Sequence, residues 1–113
     1  MINVEFIKNK DNQFLSFIIN GHANYDDYGN DIVCSAVSAV SIGTVNSIVS
    51  IAKFRPNVYK KNKGGYLKVS IPIKDVNNSQ LYISQILLNS LYIELQGISK
   101  NYPKNVLVKL KKN

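Results

Sequence analysis

Cysteine and histidine are scarce in this sequence of 113 residues, which contains one of each. A single cysteine cannot form a disulfide within the chain, and stable disulfides belong mainly to oxidising compartments. We therefore expect a reducing, cytoplasmic setting. One cysteine and one histidine also fall short of the four ligands of a structural zinc site, unless a second chain supplies the others. We predict no metal and no other cofactor.

The usual marks of export and membrane insertion are lacking too. The N-terminal segment MINVEFIKNK has no apolar run preceded by positive charge, the pattern of a signal peptide. We read no stretch as long enough to span a bilayer, and we expect no membrane partner. Because the length is near the common domain size, we predict one domain over residues 1–113.

Acidic residues are sparse: seven stand against 14 lysines and arginines, which gives a net charge of +7. A basic excess is found in proteins that contact nucleic acid, and also in proteins with a lysine-rich solvated surface. The sequence has neither an RNA-stacking motif nor a glycine loop of the phosphate-binding kind. Charge alone therefore leaves both interpretations open.

The pattern of apolar residues predicts alternating strands and helices. Strands are expected at 2–8 and 14–20, a helix over 31–54, strand–turn–strand over 57–73, a second helix from Leu81 to about Tyr102, and a strand at 105–110. The order is β-β-α-β-β-α-β. We predict a small α/β domain of the α+β kind, with a mostly antiparallel sheet of about five strands and two helices.

The first of these helices is apolar around most of its circumference, which predicts burial on more than one side. Its small residues would let another element approach closely; they are Ser35, Ala36, Ala39, Gly43 and Ser47. A second copy of the chain or a monomeric core could use this property.

Both rare residues fall within the stretch GHANYDDYGNDIVCSAVS, residues 21–38. We predict that Asp31 is the N-cap of the first helix, which would put Cys34 at the third helical position. Backbone N–H groups there have no intrahelical partner, and the helix dipole is positive, so both would stabilise a thiolate. The same groups could hold the oxyanion of an acyl intermediate.

His22 follows the second strand, and the loop after it could fold back to set the imidazole against the Cys34 thiol. A neutral imidazole could take the thiol proton and later protonate a leaving amine, as in cysteine-dependent hydrolysis of a peptide bond. Two plainer interpretations remain. Cys34 could be a small buried hydrophobe, and His22 could cap a turn.

Several neighbours are candidates for supporting roles. Asp31, Asp26 or Asp27 could orient His22, although Asp31 could equally be a plain helix cap. Ser38 lies one turn after Cys34 on the same helix face, where it could bond to the site or simply pack. The segment between the pair is polar, and we expect Tyr25, Tyr28 and Gly29 to belong to a loop that closes over substrate as a lid; an ordinary exposed connection is the alternative.

This stretch resembles the signature of the bacterial ribosomal-processing cysteine protease family, in which GHA follows a strand and G-x-DIVC-x-A-x-S follows a short loop. The matching residues are Gly21, His22, Ala23, Gly29, Asp31, Ile32, Val33, Cys34, Ala36 and Ser38. The resemblance extends to chain length, element order, Arg55-Pro56 and Gly64-Gly65. One departure is Ser35, where family members often carry alanine.

The resemblance implies that Cys34 is the nucleophile and His22 the base of a catalytic dyad. It implies a homodimer that removes an N-terminal extension from a large-subunit ribosomal protein, the one called L twenty-seven, and so supports ribosome assembly. Asp31 and Ser38 match family positions without an assigned role. The high lysine content would suit a transient contact with the ribosome.

Two other functions are alternatives to that of a protease. A ribosome-associated binding or assembly factor without chemistry would use the net charge and the small α/β architecture. A redox-sensing thiol protein would have to work between chains, because the sequence offers no second cysteine to resolve an oxidised Cys34.

Overall fold

A computed structural model describes residues 1–21, 28–61 and 64–113, and for residues 28–31 it gives the helical backbone only. The elements follow in the order β1 (Ile2–Lys8), β2 (Phe14–Asn20), α1 (Tyr28–Ser47), a π-helical turn (Ile48–Ala52), β3 (Asn57–Lys60), β4 (Tyr66–Ser70), a 3-10 turn (Ile73–Asp75), α2 (Asn78–Asn101) and β5 (Val106–Lys112). The predicted α+β fold class and element order are confirmed, with two short helical turns added.

The strands form one five-stranded sheet in the order β3-β4-β2-β1-β5. The pairs β1–β2, β2–β4 and β3–β4 are antiparallel, and β1–β5 is parallel. The parallel pair needs a crossover, and the long helix α2 supplies it between β4 and β5. The prediction of a mostly antiparallel sheet is therefore confirmed.

Alternation along β1 shows that the helices cover one face of the sheet. Ile2, Val4 and Phe6 are buried, whereas Asn3 is exposed and Glu5 only partly buried. The Phe6 ring lies at the centre of an aromatic cluster, with centroid distances of 5.5 Å to Phe14, 5.7 Å to Phe17 and 5.1 Å to Tyr92 of α2. These contacts fix α2 over β1 and β2.

Helix α1 buries one stripe and leaves another exposed. Val33 and Val37, with Ile48 of the following π-helical turn, belong to the core. On the opposite side Ile32 is 46% exposed and Ile42 is 47% exposed. Burial on more than one side was predicted, and this is wrong for the single chain because the sheet and α2 reach only part of the helix circumference.

The segment Ile32–Ala52 is long and apolar enough, by length and composition, to cross a membrane. The expectation that no stretch has this length was therefore wrong. In this fold the segment places its inner residues in a core that it shares with the sheet and α2, as the central helix of a folded domain does.

Helix α2 begins at Asn78, three residues earlier than the apolar periodicity predicts, because its start is capped by polar side chains. The Asn77 side chain accepts a hydrogen bond from the Gln80 N–H at 2.8 Å, and the Gln80 side chain accepts one from the Asn77 N–H at 3.0 Å. This capping box satisfies two backbone donors. Gln80 Nε2 also donates to the Lys53 carbonyl at 3.0 Å, which ties the start of α2 to the residue that ends the π-helical turn.

We predict that Asn77→Ala lowers the free energy of unfolding by about 1 kcal/mol, because the N-cap acceptor is lost. The matched control is Asn89→Ala at an exposed position inside α2, where alanine is the better helix former and stability should rise slightly. Urea denaturation followed by circular dichroism measures both. Equal effects from the two variants would contradict the capping role.

Candidate active site

Cys34 borders a cavity of about 300 Å³ between α1 and the helix-facing side of the sheet. The residue is half-buried and carries a free thiol. A structural cysteine that acts as a small hydrophobe would be expected to be enclosed by the core, whereas this one packs beside the core and also borders open space. The position suits a thiol that meets a ligand.

The cavity walls come from three parts of the fold. Helix α1 contributes the face that carries Cys34, Val37, Ser38 and Ser41, together with Ile42. The sheet and the β3–β4 hairpin contribute the rest, mainly apolar and small residues, which are Ile2, Ile19, Gly21, Lys60, Lys61, Gly64, Gly65, Tyr66 and Leu67. A cavity of this size and lining accommodates one large apolar side chain of a peptide.

The start of α1 corrects one prediction. The helix begins at Tyr28, so Asp31 is its fourth residue and not its N-cap, and Cys34 is its seventh and not its third. Gly29 and Asn30 are poor helix formers, which is why composition predicts a later start. Extension is nevertheless favourable, since each residue added to an existing helix gains a backbone hydrogen bond.

This shift weakens the support that the helix terminus can give to a thiolate. In the second turn of an α-helix the N–H of residue 34 is directed to the carbonyl four residues earlier. The dipole effect also falls off within the first turn. The backbone groups of the helix end are therefore one turn further from Cys34 than the sequence suggests, and other groups must contribute more.

The predicted lid is only partly within the described chain. Tyr28 and Gly29 lie in the first turn of α1, so the prediction that they belong to a loop is wrong. Tyr25 lies outside the described residues, as do His22, Asp26 and Asp27. The predicted approach of His22 to Cys34 therefore stays a prediction.

Gly21, which directly precedes His22, has a backbone that requires glycine. Its φ is +120°, and an added Cβ would collide with the Met1 carbonyl oxygen. Its N–H donates to the Gly65 carbonyl at 2.9 Å. Gly65 itself has φ +76°, so two glycines in left-handed conformations join the end of β2 to the β3–β4 hairpin. The glycine of the GHA motif thus fixes where the chain leaves the sheet beside the cavity.

The rim of the cavity at the hairpin is basic and aromatic. Lys60 and Lys61 border it, and Lys61 Nζ lies 5.1 Å from the centroid of the Tyr66 ring. Tyr66 also contacts Tyr59 edge-on at 5.9 Å. Among the described residues that line the cavity there is no carboxylate. The rim therefore disfavours cationic groups and tolerates anionic or neutral ones.

Two serines lie on the face of α1 that carries the thiol. Ser38 is exposed and borders the cavity one turn after Cys34, as its spacing predicts. Ser41, which was not among the residues predicted from the sequence, is fully buried and borders the cavity two turns after Cys34. The i, i+4, i+7 spacing of Cys34, Ser38 and Ser41 is the signal that could have identified it. In the part of the chain that the structure describes, no group of three or more His, Cys, Asp and Glu residues could hold a metal ion.

Comparison with known proteins identifies the family of this chain. The family model described as cysteine protease Prp matches residues 1–107. The ribosomal processing cysteine protease Prp of Staphylococcus aureus is 32% identical over 111 residues, which cover 98% of this chain and all of that protein. The protein of the same name from Bacillus subtilis is 32% identical over 108 residues, covering 96% of each.

A solved structure matches the fold as well. The crystal structure of the Staphylococcus aureus ribosomal processing protease Prp, in complex with a covalently linked product peptide, superposes with a TM-score of 0.83. It is 30% identical in sequence, and the match covers 98% of this chain and 100% of that chain. The arrangement of two helices on a five-stranded sheet is therefore shared with a peptide-binding relative.

We predict that Gly21→Ala lowers the free energy of unfolding by about 1–3 kcal/mol, because alanine is strained at this φ and its Cβ meets a backbone oxygen. Gly97→Ala is the matched control, since this glycine lies inside α2 and no described residue beyond the neighbouring helix backbone has an atom within 4 Å of an added Cβ. That variant should gain about 1 kcal/mol. Denaturant titration of both variants measures these changes in the free energy of unfolding. A Gly21→Ala protein as stable as wild type would contradict the requirement for glycine at this position.

Proposed function

The chain belongs to the cysteine protease Prp family, and from that premise we propose that it removes an N-terminal extension from a ribosomal protein precursor by Cys–His catalysis. The observation that carries the proposal is the position of Cys34 at the edge of a cavity that fits a peptide side chain. The protein is a cysteine protease, so the binding factor without chemistry is set aside. The substrate we propose is the large-subunit protein L twenty-seven.

The proposed reaction has two steps. Cys34 Sγ attacks the carbonyl carbon of the scissile bond, while the His22 imidazole takes the thiol proton and gives it to the leaving amine. The C–N bond breaks, and the N-terminal part of the substrate stays on Cys34 as a thioester. Water then attacks the thioester carbon, loses its proton through His22, and releases a carboxylate and the regenerated thiol.

In this mechanism His22 must provide more of the thiolate stabilisation than it would if Cys34 lay at the helix N-terminus. Because Cys34 lies in the second turn of α1, the imidazolium is the main proposed partner of the thiolate. Gly21 supports this role, since the residue directly before His22 borders the cavity and has a constrained backbone. Asp31 and Ser38 remain candidates for orienting the pair, and Ser38 borders the cavity directly.

We expect purified enzyme to make one defined cut near the N-terminus of the precursor of this ribosomal protein from the same organism. Cys34→Ala and His22→Ala should each abolish the cut, because one lacks the nucleophile and the other its base. Intact-mass spectrometry of the precursor after incubation measures the result.

Ser90→Ala, at an exposed position on α2, is the control and should cut at the wild-type rate. Circular dichroism verifies that each variant is folded. A fully active His22→Ala enzyme would refute the dyad, and an uncut precursor with reduced wild-type enzyme would refute the proposed substrate.

We also propose that two copies of the chain associate through the exposed face of α1. Between Ile32 and Ala52 the sequence has no charged residue, yet Ile32, Ile42 and Ile51 are about half exposed. Ala39 and Gly43 lie exposed between them and would let a second helix approach closely. A second copy would remove this uncharged surface from water.

Ala39→Glu should convert the protein from dimer to monomer, because it places a carboxylate in a close apolar contact. Ile86→Glu on the exposed side of α2 adds the same charge elsewhere and should leave the dimer intact. Sedimentation velocity measures both. A wild-type protein that sediments as a monomer at tens of micromolar would contradict the proposed interface.

The setting of the reaction follows from the same proposal. We place it in the cytoplasm, where reducing conditions keep the Cys34 thiol free. Lys109, Lys111 and Lys112 are exposed on the edge strand β5. Lysines on an edge strand prevent pairing with other chains, and they could in addition make a transient, salt-sensitive contact with ribosomal RNA.

A further inference from the structure

Ser41 is a buried hydroxyl beside the cavity, and it has no hydrogen-bond partner among the residues that the structure describes. Its exposed fraction is 0%, and among the described residues nothing lies in hydrogen-bond geometry to its Oγ. Burying a hydroxyl without a partner is unfavourable, because the bond that it made to water is not replaced. The presence of an unpaired buried hydroxyl in a folded protein therefore needs a physical explanation.

Other buried hydroxyls on the helices show how this cost is normally avoided. Thr44 Oγ1 donates to the Val40 carbonyl at 2.7 Å, and Ser84 Oγ donates to the Leu81 carbonyl at 2.9 Å. Each therefore bonds to the preceding turn of its own helix. Ser41 does not, although the same kind of carbonyl is available to it, and Ser41 is also the one of the three that borders the cavity.

The position of Ser41 relative to the thiol sets which part of a peptide can reach it. Seven residues of α-helix separate Cys34 from Ser41, a rise of about 10 Å. An extended peptide covers that distance in about three residues. A substrate bound to Cys34 and lying along α1 would therefore bring a residue within three positions of the scissile bond to Ser41.

The residues that line the cavity around Ser41 determine which kind of ligand group can contact its hydroxyl. Ile2, Ile19, Val37 and Leu67 make the cavity apolar, so its occupant has a largely apolar body. Ser41 has no exposed surface in this conformation. Its occupant therefore reaches it by shifting a neighbouring side chain, as side chains commonly do on binding.

We propose that Ser41 is a specificity-determining residue of this protease. Its Oγ forms one hydrogen bond with an uncharged polar group at the end of the substrate side chain that fills the cavity, as in glutamine, tyrosine or threonine. The inference rests on the proposed peptidase function and adds a substrate preference to it. A ligand that leaves the hydroxyl unpaired binds less well, because the enzyme already carries a polar group that needs a partner.

The test uses peptides that span the cleavage site and differ by nearly isosteric pairs: Gln against Met, Tyr against Phe, and Thr against Val. Each pair is placed in turn at the three positions on either side of the scissile bond. At one position wild-type kcat/KM should favour the polar member by roughly five- to tenfold. Ser41→Ala should abolish that preference, chiefly by slowing the polar member, because the unpaired hydroxyl is present both in the free enzyme and in its complex with an apolar ligand.

Thr44→Val is the matched control, since it removes a buried and already satisfied hydroxyl from the same helix outside the cavity lining. It should keep the substrate preference of the wild type. Ser41→Ala should also melt at the wild-type temperature or above, because no partner is left unpaired. Equal polar and apolar rates in the wild type, or the same preference in Ser41→Ala, would overturn the proposal.

Binding of the same peptides to Cys34→Ala and to Cys34→Ala with Ser41→Ala separates this inference from the proposed function. A preference seen in binding, with no cut by the wild type, would keep Ser41 as a selectivity residue and refute the peptidase. Cleavage without any such preference would refute the role of Ser41 alone. Absence of both binding and cleavage would refute the two together.

Discussion

The rotation of α1 about its own axis determines the rest of the candidate site. Burial of Val33 and Val37, with Ile48 just beyond the helix, fixes that rotation, because turning the helix would expose these side chains. Once it is fixed, the face that carries Cys34, Ser38 and Ser41 borders the cavity and Ile32 remains outside it, while the half-exposed Ile42 reaches the cavity edge. Core packing therefore sets the position of the thiol, the position of the buried hydroxyl and the uncharged outer surface together.

The opposite wall of the cavity depends on backbone geometry more than on side chains. Gly21 and Gly65 join the end of β2 to the β3–β4 hairpin by one hydrogen bond, and both have positive φ. A side chain at Gly21 would meet the backbone of Met1. Glycine in the family motif is therefore explained by the conformation of the strand end, and the catalytic proposal for His22 depends on that conformation.

Most of the fold could be predicted because its signals are local. Alternation identified β1, and β-branched and aromatic content identified β2, each with the observed bounds. The Asn77–Gln80 cap was visible in the sequence as a cap region. The start of α1 could not be predicted, since Gly29 and Asn30 have low helix propensity and nevertheless extend an existing helix. Ser41 was missed because its significance depends on a cavity and on the absence of a partner in the described part of the chain, which only tertiary structure shows. Cys34 was identified from sequence because one thiol and a family-like motif coincide.

Covalent catalysis by Cys34 requires that the substrate become attached to this residue during the reaction. Wild-type enzyme mixed with precursor and quenched in acid within the first turnover should show, by intact mass, a thioester of the N-terminal product. Peptide mapping should place it on Cys34, and the adduct should disappear as the carboxylate product accumulates. A precursor that is cut while Cys34 stays unmodified, or that Cys34→Ala still cuts, would contradict the central claim.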